Sequence, residues 1–289
     1  MGESRRVGLI DGDTIAYSAG FSSQTKTYHI HELNDEGTTI KDESLMAFKT
    51  SKEADIWLEE NKGNYIKVSS IEIEDERKAI YITKKLLEKI KDVLKLNEAR
   101  IFLSDDHTFR HQIAESLPYK GNRNKLHKPY YLDLIKQYLK VVHRGEIWDS
   151  LEADDAISIS SYRYDADGHI PIVITIDKDL DQVPGHHYNF RTNVEYFISP
   201  KQATRNYYIQ VLAGDRVDNI VGLKGVGPAR AEKILGHETD SQRLANIVFQ
   251  EYIKRLGKDS GPRYLEEVCK LVYILKNEEE KEIALKRIL

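Results

Sequence analysis

The chain has 289 residues, 40% of them hydrophobic and 31% charged, which is typical of a globular protein with one substantial core and room for an attached helical part. No apolar run approaches the roughly 20 residues that a membrane-spanning helix needs, and no signal peptide is recognisable, so we expect a cytoplasmic protein without a membrane partner. The single cysteine, Cys269, excludes disulfide bonds within the chain and cysteine-rich zinc sites.

The formal net charge of −4 differs from the basic balance that is common among nucleic-acid-binding proteins. Nine carboxylates are nominated below as metal ligands, and without them the rest of the chain carries a net positive charge. Because bound cations would neutralise part of that acidic set, the net charge argues neither for nor against a nucleic-acid partner.

The first predicted element is a buried strand at residues 7–10, followed by Asp11-Gly12-Asp13 in a turn. A looser pattern covers residues 21–67, where residues 28–40 predict a β-hairpin and residues 51–58 predict a short helix with a capped start. We find no motif that carries chemistry in residues 21–67 and interpret them as an accessory insertion.

Helices and strands alternate in the next part of the chain. The pattern predicts, in order, an amphipathic helix at about residues 75–96, a strand at 99–104, a helix at 130–142, a helix that begins near residue 151 and a strand at 170–176. After Pro200 the pattern is helical. This order predicts an α/β fold with a mostly parallel central sheet flanked by helices, divided into a core at residues 1–200 and a C-terminal helical subdomain at residues 201–289.

Three predicted strands are each followed by an aspartate, namely Asp11, Asp105 and Asp177. Since ligands bind beyond the carboxyl ends of the strands in open α/β sheets, we expect these side chains to meet at one edge of the sheet. Further carboxylates follow at Asp179 and at the start of the helix near residue 151, as Glu152, Asp154 and Asp155.

Each of these acidic residues also has an ordinary structural explanation. An aspartate after a strand often forms a turn, and acidic residues in a first helical turn interact favourably with the helix dipole. Together, so many carboxylates at one sheet edge would repel one another unless cations bind there. Oxygen ligands without a cysteine or histidine cluster favour Mg²⁺ or Mn²⁺ over zinc, and two such ions about 4 Å apart suit phosphodiester hydrolysis.

A basic segment, the predicted gateway at about residues 118–143, lies between the second strand-end aspartate and Glu152. Its first part offers cations that would grip phosphate and a tyrosine that would stack on an unpaired base, namely Tyr119, Lys120, Arg123, Lys125 and Lys128. A cation in this position would stabilise charge that develops on a scissile phosphate. A basic surface loop without a function is the alternative interpretation.

Residues 222–227, with the sequence Gly-Leu-Lys-Gly-Val-Gly, precede a predicted helix. Their glycines permit a tight turn that exposes backbone N–H groups at a helix N-terminus, which suits a bound phosphate. We therefore nominate Lys224, Gly225 and Gly227 as substrate-binding residues. An isolated glycine-rich turn is the alternative, and the presence of Asp215 and Asp218 just upstream weakens it.

Taken in order, these motifs resemble those of the 5′-nuclease superfamily, which includes flap endonucleases, the 5′-exonuclease domains of bacterial DNA polymerases and bacteriophage 5′-exonucleases. The resemblance covers about residues 7–236 and is carried by Ile10-Asp11-Gly12, Asp105, Tyr119-Lys120-Gly121-Asn122-Arg123, Glu152-Ala153-Asp154-Asp155, Asp177-Lys178-Asp179 and residues 214–227. It implies a PIN-like nuclease core and a helix–hairpin–helix that binds duplex DNA. Because the chain has no polymerase domain, it is most similar to the phage enzymes, for which we expect the host cytoplasm as location.

The resemblance implies two Mg²⁺ ions, for which Mn²⁺ would substitute. Four residues would hold one ion, namely Asp11, Asp105, Glu152 and Asp154. Five would surround the other, namely Asp155, Asp177, Asp179, Asp215 and Asp218. Asp106 is an alternative to Asp105 as a ligand, and Asp13 is expected behind the ligands.

The resemblance also implies roles outside the metal sites. Lys120 and Arg123 match catalytic residues that contact the scissile phosphate, and Tyr119 matches a stacking position. Backbone carbonyl groups near Val221 and Val226 match a potassium site in the hairpin turn.

Only one helix-sized segment fits between Arg123 and Glu152, whereas flap endonucleases of this family carry a longer helical arch there. We therefore expect a 5′→3′ exonuclease that acts on duplex DNA at ends, nicks and gaps, and on RNA primers in RNA–DNA hybrids, and that releases 5′-phosphorylated products. The alternatives are a structure-specific flap endonuclease, an RNase of the PIN class, which does not need the hairpin, and a non-catalytic DNA-structure-binding protein, which gains nothing from crowded carboxylates.

Overall fold

The computed structural model describes residues 4–34, 36–39, 44–123 and 127–285. Its strands are β1 (Arg6–Asp11), β2 (Gln24–Glu32), β3 (Met46–Phe48), β4 (Tyr65–Ile73), β5 (Glu98–Leu103), β6 (Glu146–Ile147), β7 (Ile170–Ile174), β8 (Gly185–Asn189), β9 (Val194–Ile198), β10 (Gly214–Asp215) and β11 (Ile220–Val221). Its helices are α1 (Gly12–Ser22), α2 (Ser51–Glu60), α3 (Glu76–Leu94), α4 (Arg110–Ile113), α5 (Leu132–Val142), α6 (Ala153–Ala166), α7 (Pro200–Ala213), α8 (Pro228–Leu235), α9 (Ser241–Val272) and α10 (Glu279–Leu285), with a short 3-10 helix at Asp179–Gln182.

The main sheet confirms the predicted α/β fold. Its six strands lie in the order β6-β5-β1-β7-β8-β9, and every neighbouring pair is parallel except β8 and β9. The strands β5, β1 and β7 are therefore direct neighbours that run in the same direction. Since these are the three strands followed by the predicted metal ligands, the order of the sheet brings their carboxyl ends to one edge.

The apolar content of β1 and β7 explains their central position. Both strands are buried almost throughout, as expected for parallel strands that are covered on both faces. Val7, Leu9 and Val173 form a core cluster with Ala156 and Ile157 of α6, which packs across β1, β5 and β7. This packing fixes the N-terminus of α6, where the Glu152 motif lies, next to the carboxyl ends of the strands.

Two glycines close the turn between α7 and α8. Gly214 has a φ of 71°, and a Cβ atom on it would lie 2.2 Å from the backbone nitrogen of Gly222. A Cβ atom on Gly222 would lie 2.4 Å from the backbone of Ala213 and Gly214. Because neither position leaves room for a side chain, the chain doubles back tightly and presents Asp215 and Asp218 in the connecting turn.

Residues 16–86 and 128–135 form a compact unit of their own. In it β2 pairs antiparallel with β3 and β4, and α2 begins with a capping box between Thr50 and Glu53, which confirms the predicted capped helix. The predicted β-hairpin at residues 28–40 is confirmed in part. Thr39 pairs back only through a single bridge to Leu33, and the longer antiparallel pairing with β2 is made by β3. Residue Ile40 lies outside the described residues.

The other compact unit comprises residues 1–15, 87–127 and 136–289, and so includes the main sheet together with the C-terminal helices. The helical C-terminal part is confirmed, with the short strands β10 and β11 as an addition. The boundary at residue 200 and the role of residues 201–289 as a DNA-binding subdomain stay predictions. Among the described residues, no helix is long and apolar enough to cross a membrane.

Candidate active site

Asp11, at the end of β1, is buried at the carboxyl edge of the sheet. Its oxygens accept hydrogen bonds from the backbone N–H of Thr14 at 3.0 Å and from the hydroxyl of Thr175, which follows β7, at 2.7 Å. Loss of hydration on burial and the negative charges of Asp13 and Asp177 raise the pKa of Asp11 to about 7, although the two hydrogen bonds act to lower it. Asp11 is thus fixed in place with too little positive charge around it.

Asp154 lies at the centre of the acidic residues. Its pKa is raised well above the ordinary value, first by loss of hydration and then by the charges of four neighbours, namely Asp11, Asp177, Glu152 and Asp179. Asp154 therefore lies within electrostatic range of carboxylates from β1, from the start of α6 and from the segment that follows β7. We call Asp11, Glu152, Asp154, Asp177, Asp179, Asp215 and Asp218 the acidic cluster.

The turn between β10 and β11 supplies the remaining carboxylates of the acidic cluster. The pKa of Asp177 is raised by loss of hydration and by Asp215 and Asp218, even though the N–H of Asp179 donates to its Oδ1 at 3.0 Å. The pKa of Asp179 rises to about 8 because of lost hydration, the charge of Asp177 and a hydrogen bond with the side chain of Asp215. Four carboxylates from two distant segments therefore lie within interaction range of one another.

Three basic or phenolic side chains face Glu152 on the other side. Its oxygens accept hydrogen bonds from Lys120 and, at 3.0 and 3.1 Å, from the hydroxyl of Tyr119, while the Nη1 of Arg110 lies at 3.6 Å. Burial acts to raise the pKa of Glu152, but the charges of Arg110 and Lys120 and these hydrogen bonds lower it to about 2. Cations of the protein therefore compensate the charge of Glu152.

The basic turn at residues 118–123 is docked onto the acidic turn at residues 215–219. The N–H of Lys120 donates to the carbonyl of Asp218 at 2.9 Å, the amide of Asn122 donates to the carbonyl of Arg216 at 2.6 Å, and the amide of Asn219 donates to the carbonyl of Pro118 at 2.9 Å. Lys120 and Asn219 both adopt left-handed backbone angles, with φ of 56° and 61°. These reciprocal bonds hold Lys120 and Arg123 against Glu152 and Asp218, with which they form ion pairs.

Tyr119 corrects one prediction. Its side chain is 5% exposed, its hydroxyl donates to Glu152 and, at 2.7 Å, to Asp218, and its ring packs in the core of the C-terminal helices. Burial and the negative charge of Glu152 raise the pKa of this hydroxyl well above its ordinary value. The prediction that Tyr119 stacks on an unpaired base is therefore wrong for this structure, because the ring has no exposed face to offer.

Asp105 lies apart from the acidic cluster. Its Oδ2 accepts a hydrogen bond from the N–H of Ser150 at 2.8 Å, and hydrogen bonds from that N–H and from the backbone of His107 and Asp106 lower its pKa. The pKa values of Asp11 and Asp154 in the acidic cluster are raised instead. The structure thus does not support Asp105 as a ligand beside Asp11, because its side chain is turned towards the Ser150 loop.

Asp13 lies close enough to Asp11 for its negative charge to raise the pKa of Asp11. Its Oδ2 accepts a hydrogen bond from the N–H of Ser104 at 3.1 Å, and its Oδ1 pairs with Lys136 at 2.6 Å.

Asp155 is also turned away from the acidic cluster, since both of its oxygens bind Arg110. The prediction of Asp155 as a metal ligand is accordingly not supported.

In the glycine-rich turn at residues 222–227 and at Val221 beside it, two backbone carbonyl groups already accept hydrogen bonds. Lys224, Gly225 and Gly227 are exposed, and Gly227 is the N-cap of α8. The carbonyl of Val221 accepts from the hydroxyl of Tyr264 at 2.6 Å, and the carbonyl of Gly225 accepts from Arg230 at 3.3 Å. The potassium site near Val221 and Val226 stays a prediction. Lys125 lies outside the described residues, and Lys128 is an exposed residue of the compact unit formed by residues 16–86 and 128–135.

Sequence reasoning missed Arg110, Thr175 and the two asparagines Asn122 and Asn219. Thr175, Asn122 and Asn219 each form a hydrogen bond with a residue more than 90 positions away. Arg110 binds Asp155, which is 45 positions away. The only signal was their position inside or beside the motifs: Thr175 precedes Asp177, and Asn122 and Asn219 lie within the basic and acidic turns.

The donor set fits a hard divalent cation. In the part of the chain that the structure describes, no three Cys, His, Asp or Glu side chains converge closely enough to hold one ion. Loss of hydration and, after it, the negative charges of neighbouring carboxylates nevertheless raise the pKa values of Asp11, Asp154, Asp177 and Asp179. Clustered carboxylate oxygens match the ligand preference of Mg²⁺ or Mn²⁺.

Comparison with known proteins yields sequence relatives but no matching family profile. The chain is 30% identical over 139 residues to DNA polymerase I of Deinococcus radiodurans, over 44% of this chain and 14% of the polymerase. It is 29% identical over 147 residues to the thermostable DNA polymerase I of Thermus thermophilus, over 47% of this chain and 17% of the polymerase. It is 25% identical over 176 residues to a 5'-3' exonuclease of Mycoplasmopsis pulmonis, over 54% of this chain and 57% of that protein.

Two solved structures are similar over most of their length. The T5 5'-exonuclease with bound divalent metal ions (zinc) has a TM-score of 0.48 and 15% identity, over 93% of this chain and 100% of the other. The bacteriophage T5 flap endonuclease in a complex with DNA and metal ions has a TM-score of 0.47 and 15% identity, over 93% and 99%. Both likenesses are distant.

Fold and site together define an α/β protein with an acidic cluster at the carboxyl edge of a parallel sheet and a basic turn docked beside it. The sequence relatives confirm the resemblance to the 5′-nuclease superfamily that the ordered motifs predict. The chain covers less than a fifth of the polymerases and 57% of the exonuclease.

Proposed function

We propose that the chain is a divalent-metal-dependent 5′→3′ exonuclease that hydrolyses phosphodiester bonds of duplex DNA and releases 5′-phosphorylated products. The observation that carries the proposal is the acidic cluster around Asp154, which gathers carboxylates from four segments of the chain. A protein that only bound DNA would lose affinity by placing these charges beside phosphate. The clustering of these carboxylates therefore favours a hydrolase over a non-catalytic DNA-binding protein.

Two Mg²⁺ ions are proposed, with Mn²⁺ as a substitute. Asp11, Glu152 and Asp154 would hold one, and Asp177, Asp179, Asp215 and Asp218 would surround the other. When bound, such ions supply a water of lowered pKa and stabilise the oxygens of an in-line phosphoryl displacement. The protein contributes fixed ligands, because Thr14 and Thr175 hold Asp11 and the turn between β10 and β11 holds Asp215.

Lys120 and Arg123 are proposed to bind the scissile phosphate. Both now serve as counter-ions of Glu152 and Asp218, and the Nε of Arg123 is buried without a hydrogen-bond partner among the described residues. Once cations balance the carboxylates, these two side chains become available for an anionic substrate at the same place. Their charge would then stabilise the negative charge that develops on the phosphate.

DNA is proposed as the partner, with the exposed turn at Lys224, Gly225 and Gly227 holding the duplex backbone. Gly225 has a φ of 74°, which favours glycine, and the N-terminus of α8, which begins at Pro228, has no side-chain cap. This turn favours a DNA nuclease over a PIN-type RNase, which does not need it. RNA–DNA hybrids and a potassium ion in the turn belong to the same proposal.

A structure-specific flap endonuclease is the second candidate. In the described part of the segment between Arg123 and Glu152, α5 (Leu132–Val142) is the only helix longer than one turn. A closed arch that threads a free strand needs more helical chain than this segment contains. Exonuclease action on ends, nicks and gaps is therefore favoured.

The proposal is tested with duplexes labelled at the 5′ or the 3′ end, together with nicked, gapped, flapped and RNA-primed substrates, in Mg²⁺ or in EDTA. We expect Mg²⁺-dependent release of 5′-phosphorylated products from the 5′ end. The Asp179→Asn variant should lose cleavage and keep DNA binding. Degradation from the 3′ end, or cleavage in EDTA, would contradict the proposal.

A further inference from the structure

Arg110 is a fully enclosed cation behind the acidic cluster. Its side chain is 3% exposed, and its guanidinium donates to Asp155 through Nη1 at 2.5 Å and through Nη2 at 2.9 Å. The same group donates from Nε to the carbonyl of Leu271 at 3.0 Å and from Nη2 to the carbonyl of Tyr273 at 2.6 Å. A planar guanidinium with a fixed fork of donors is suited to such a fourfold arrangement, and a lysine is not.

Asp155 uses its whole acceptor capacity in this arrangement. Besides the two bonds from Arg110, its oxygens accept the N–H of Glu152 at 3.3 Å and the N–H of Leu275 at 3.1 Å. An ionised carboxylate offers about four acceptor positions. A metal ion could bind Asp155 only by displacing one of these bonds in a site with no exposed surface.

The pair connects three parts of the chain. Asp155 caps the first turn of α6 and so fixes the backbone of Glu152, whose carboxylate belongs to the acidic cluster. Through Arg110 and Leu275 the same pair holds the segment 271–275 at the C-terminal end of α9. The Nη1 of Arg110 also lies 3.6 Å from Glu152 and so opposes the charge of that side chain.

We propose that Arg110 is a positioning residue for the metal site, and that Asp155 acts as its buried partner and not as a metal ligand. Arg110 fixes the start of α6 against segment 271–275, and this fixes the direction of Glu152 and Asp154. The inference rests on the proposed function, since it assigns a task within the same site.

The energetics of a buried ion pair decide how the test must be designed. Removing one partner leaves an uncompensated charge in the interior, which is strongly destabilising. Replacing both partners with apolar side chains of similar volume is often tolerated. A truncation of Arg110 alone would therefore confound folding with positioning.

The test compares Arg110→Lys, Asp155→Asn and the double variant Arg110→Met with Asp155→Leu. Arg163→Lys is the matched control, because Arg163 lies on α6 in an exposed ion pair with Glu278. Four quantities are measured for each protein: thermal unfolding, Mn²⁺ binding without DNA, duplex affinity in Ca²⁺, and the single-turnover cleavage rate in Mg²⁺.

We expect the cleavage rate and the Mn²⁺ affinity of Arg110→Lys to fall by about 10- to 100-fold, the range found when residues that orient metal ligands are changed. Duplex affinity should stay within about threefold, since Arg110 does not reach the surface. The folded double variant should show the same loss, and the number of bound Mn²⁺ ions should stay the same in all variants. Arg163→Lys should match the wild type.

Two results would overturn the inference. One is wild-type Mn²⁺ affinity and cleavage in the folded double variant, which would make the pair purely structural. The other is the loss of one bound Mn²⁺ ion in Asp155→Asn with no loss in Arg110→Lys, which would make Asp155 a ligand. If Arg110→Lys does not fold, the double variant decides. If the wild type cleaves no DNA, the proposed function fails, while Mn²⁺ binding by the variants still tests the role of Arg110.

Discussion

The carboxyl groups of Asp179 and Asp215 lie close enough together for a hydrogen bond between them to help raise the pKa of Asp179. Such a bond requires a proton on one of them. The pKa of Asp179 is accordingly raised to about 8, through lost hydration, the charge of Asp177 and this bond. Protonation of Asp179 and binding of a divalent cation are therefore expected to compete for the same carboxylate.

Divalent-metal binding should release protons at neutral pH. Because Asp179 and Asp11 have pKa values of about 8 and about 7, ligation has to displace protons from both. We expect Mg²⁺ affinity to rise between about pH 6 and pH 8.5 and then to level off. Calorimetry in two buffers of different ionisation enthalpy measures the released protons, and equal heats in both buffers would contradict the expectation.

The metal-free protein should become less stable as the pH rises from about 4 to about 8. Asp11 and Asp179 hold protons in the folded state that the unfolded chain, with an ordinary pKa of 3.8, releases. The contribution of Glu152, whose pKa is lowered to about 2, is lost only below about pH 4.5 and so lies outside this window. Thermal unfolding in EDTA should show a higher midpoint at about pH 5.5 than at about pH 8. Mg²⁺ should remove the difference, and a midpoint that rises with pH in EDTA would refute the assignment.

Lys120→Ala should lower the single-turnover cleavage rate by about 100- to 1,000-fold, the usual effect of losing one group that stabilises transition-state charge. Lys140→Ala is the control, since Lys140 is exposed on α5. Duplex affinity in Ca²⁺ should change little in either variant. An unchanged single-turnover rate would remove Lys120 from the reaction.

Tyr119→Phe should lower stability by about 1–2 kcal/mol, because Glu152 and Asp218 lose a buried donor. We also expect slower cleavage, since both carboxylates lose one of the groups that orient them. Tyr130→Phe, at a side chain that is 66% exposed, is the control. If Tyr119 instead stacks on DNA, duplex affinity will respond to Tyr119→Ala and not to Tyr119→Phe.

The two asparagines that join the basic and acidic turns should act as a pair. Asn122→Ala and Asn219→Ala each remove one bond between the turns, and we expect each to slow cleavage by about 10-fold through misplacement of Lys120. A double-mutant cycle on the single-turnover rate tests the coupling. Effects that are fully additive would mean that the two bonds act independently.

The sequence was sufficient for the main sheet and for much of the acidic cluster. Apolar strands that end in Asp11 or lead to Asp177 indicate a parallel sheet, and the order of that sheet then dictates which carboxyl ends meet. Asp105 follows the same pattern and still fails, because a turn that ends in Ser150 offers its carboxylate an N–H. The residue that binds the carboxylate of Asp105 lies 45 positions further along the chain. The sequence around Asp105 therefore could not show whether it would serve a metal site or a turn.

Burial was the quantity that the motifs could not supply. Tyr119 lies in a basic, polar segment and yet its ring belongs to a core built by α7 and α9, far away in sequence. Asp155 closely follows the predicted ligands Glu152 and Asp154 in the sequence. Its role differs from theirs because Arg110, which belongs to another segment, binds its carboxylate. Both errors concern which surface of an element is covered, a property of packing and not of local pattern.

Gly214 and Gly222 lie so close together that neither position has room for a side chain. A substitution there can therefore move the charges of Asp215 and Asp218 without removing them. Alanine at either position would push the turn apart and carry Asp215 and Asp218 away from Asp179 without altering a single ionisable group. The electrostatic balance of the chain would be preserved while its distribution in space changed. The absence of a Cβ atom at Gly214 and at Gly222 is therefore what allows the acidic turn to lie next to the sheet.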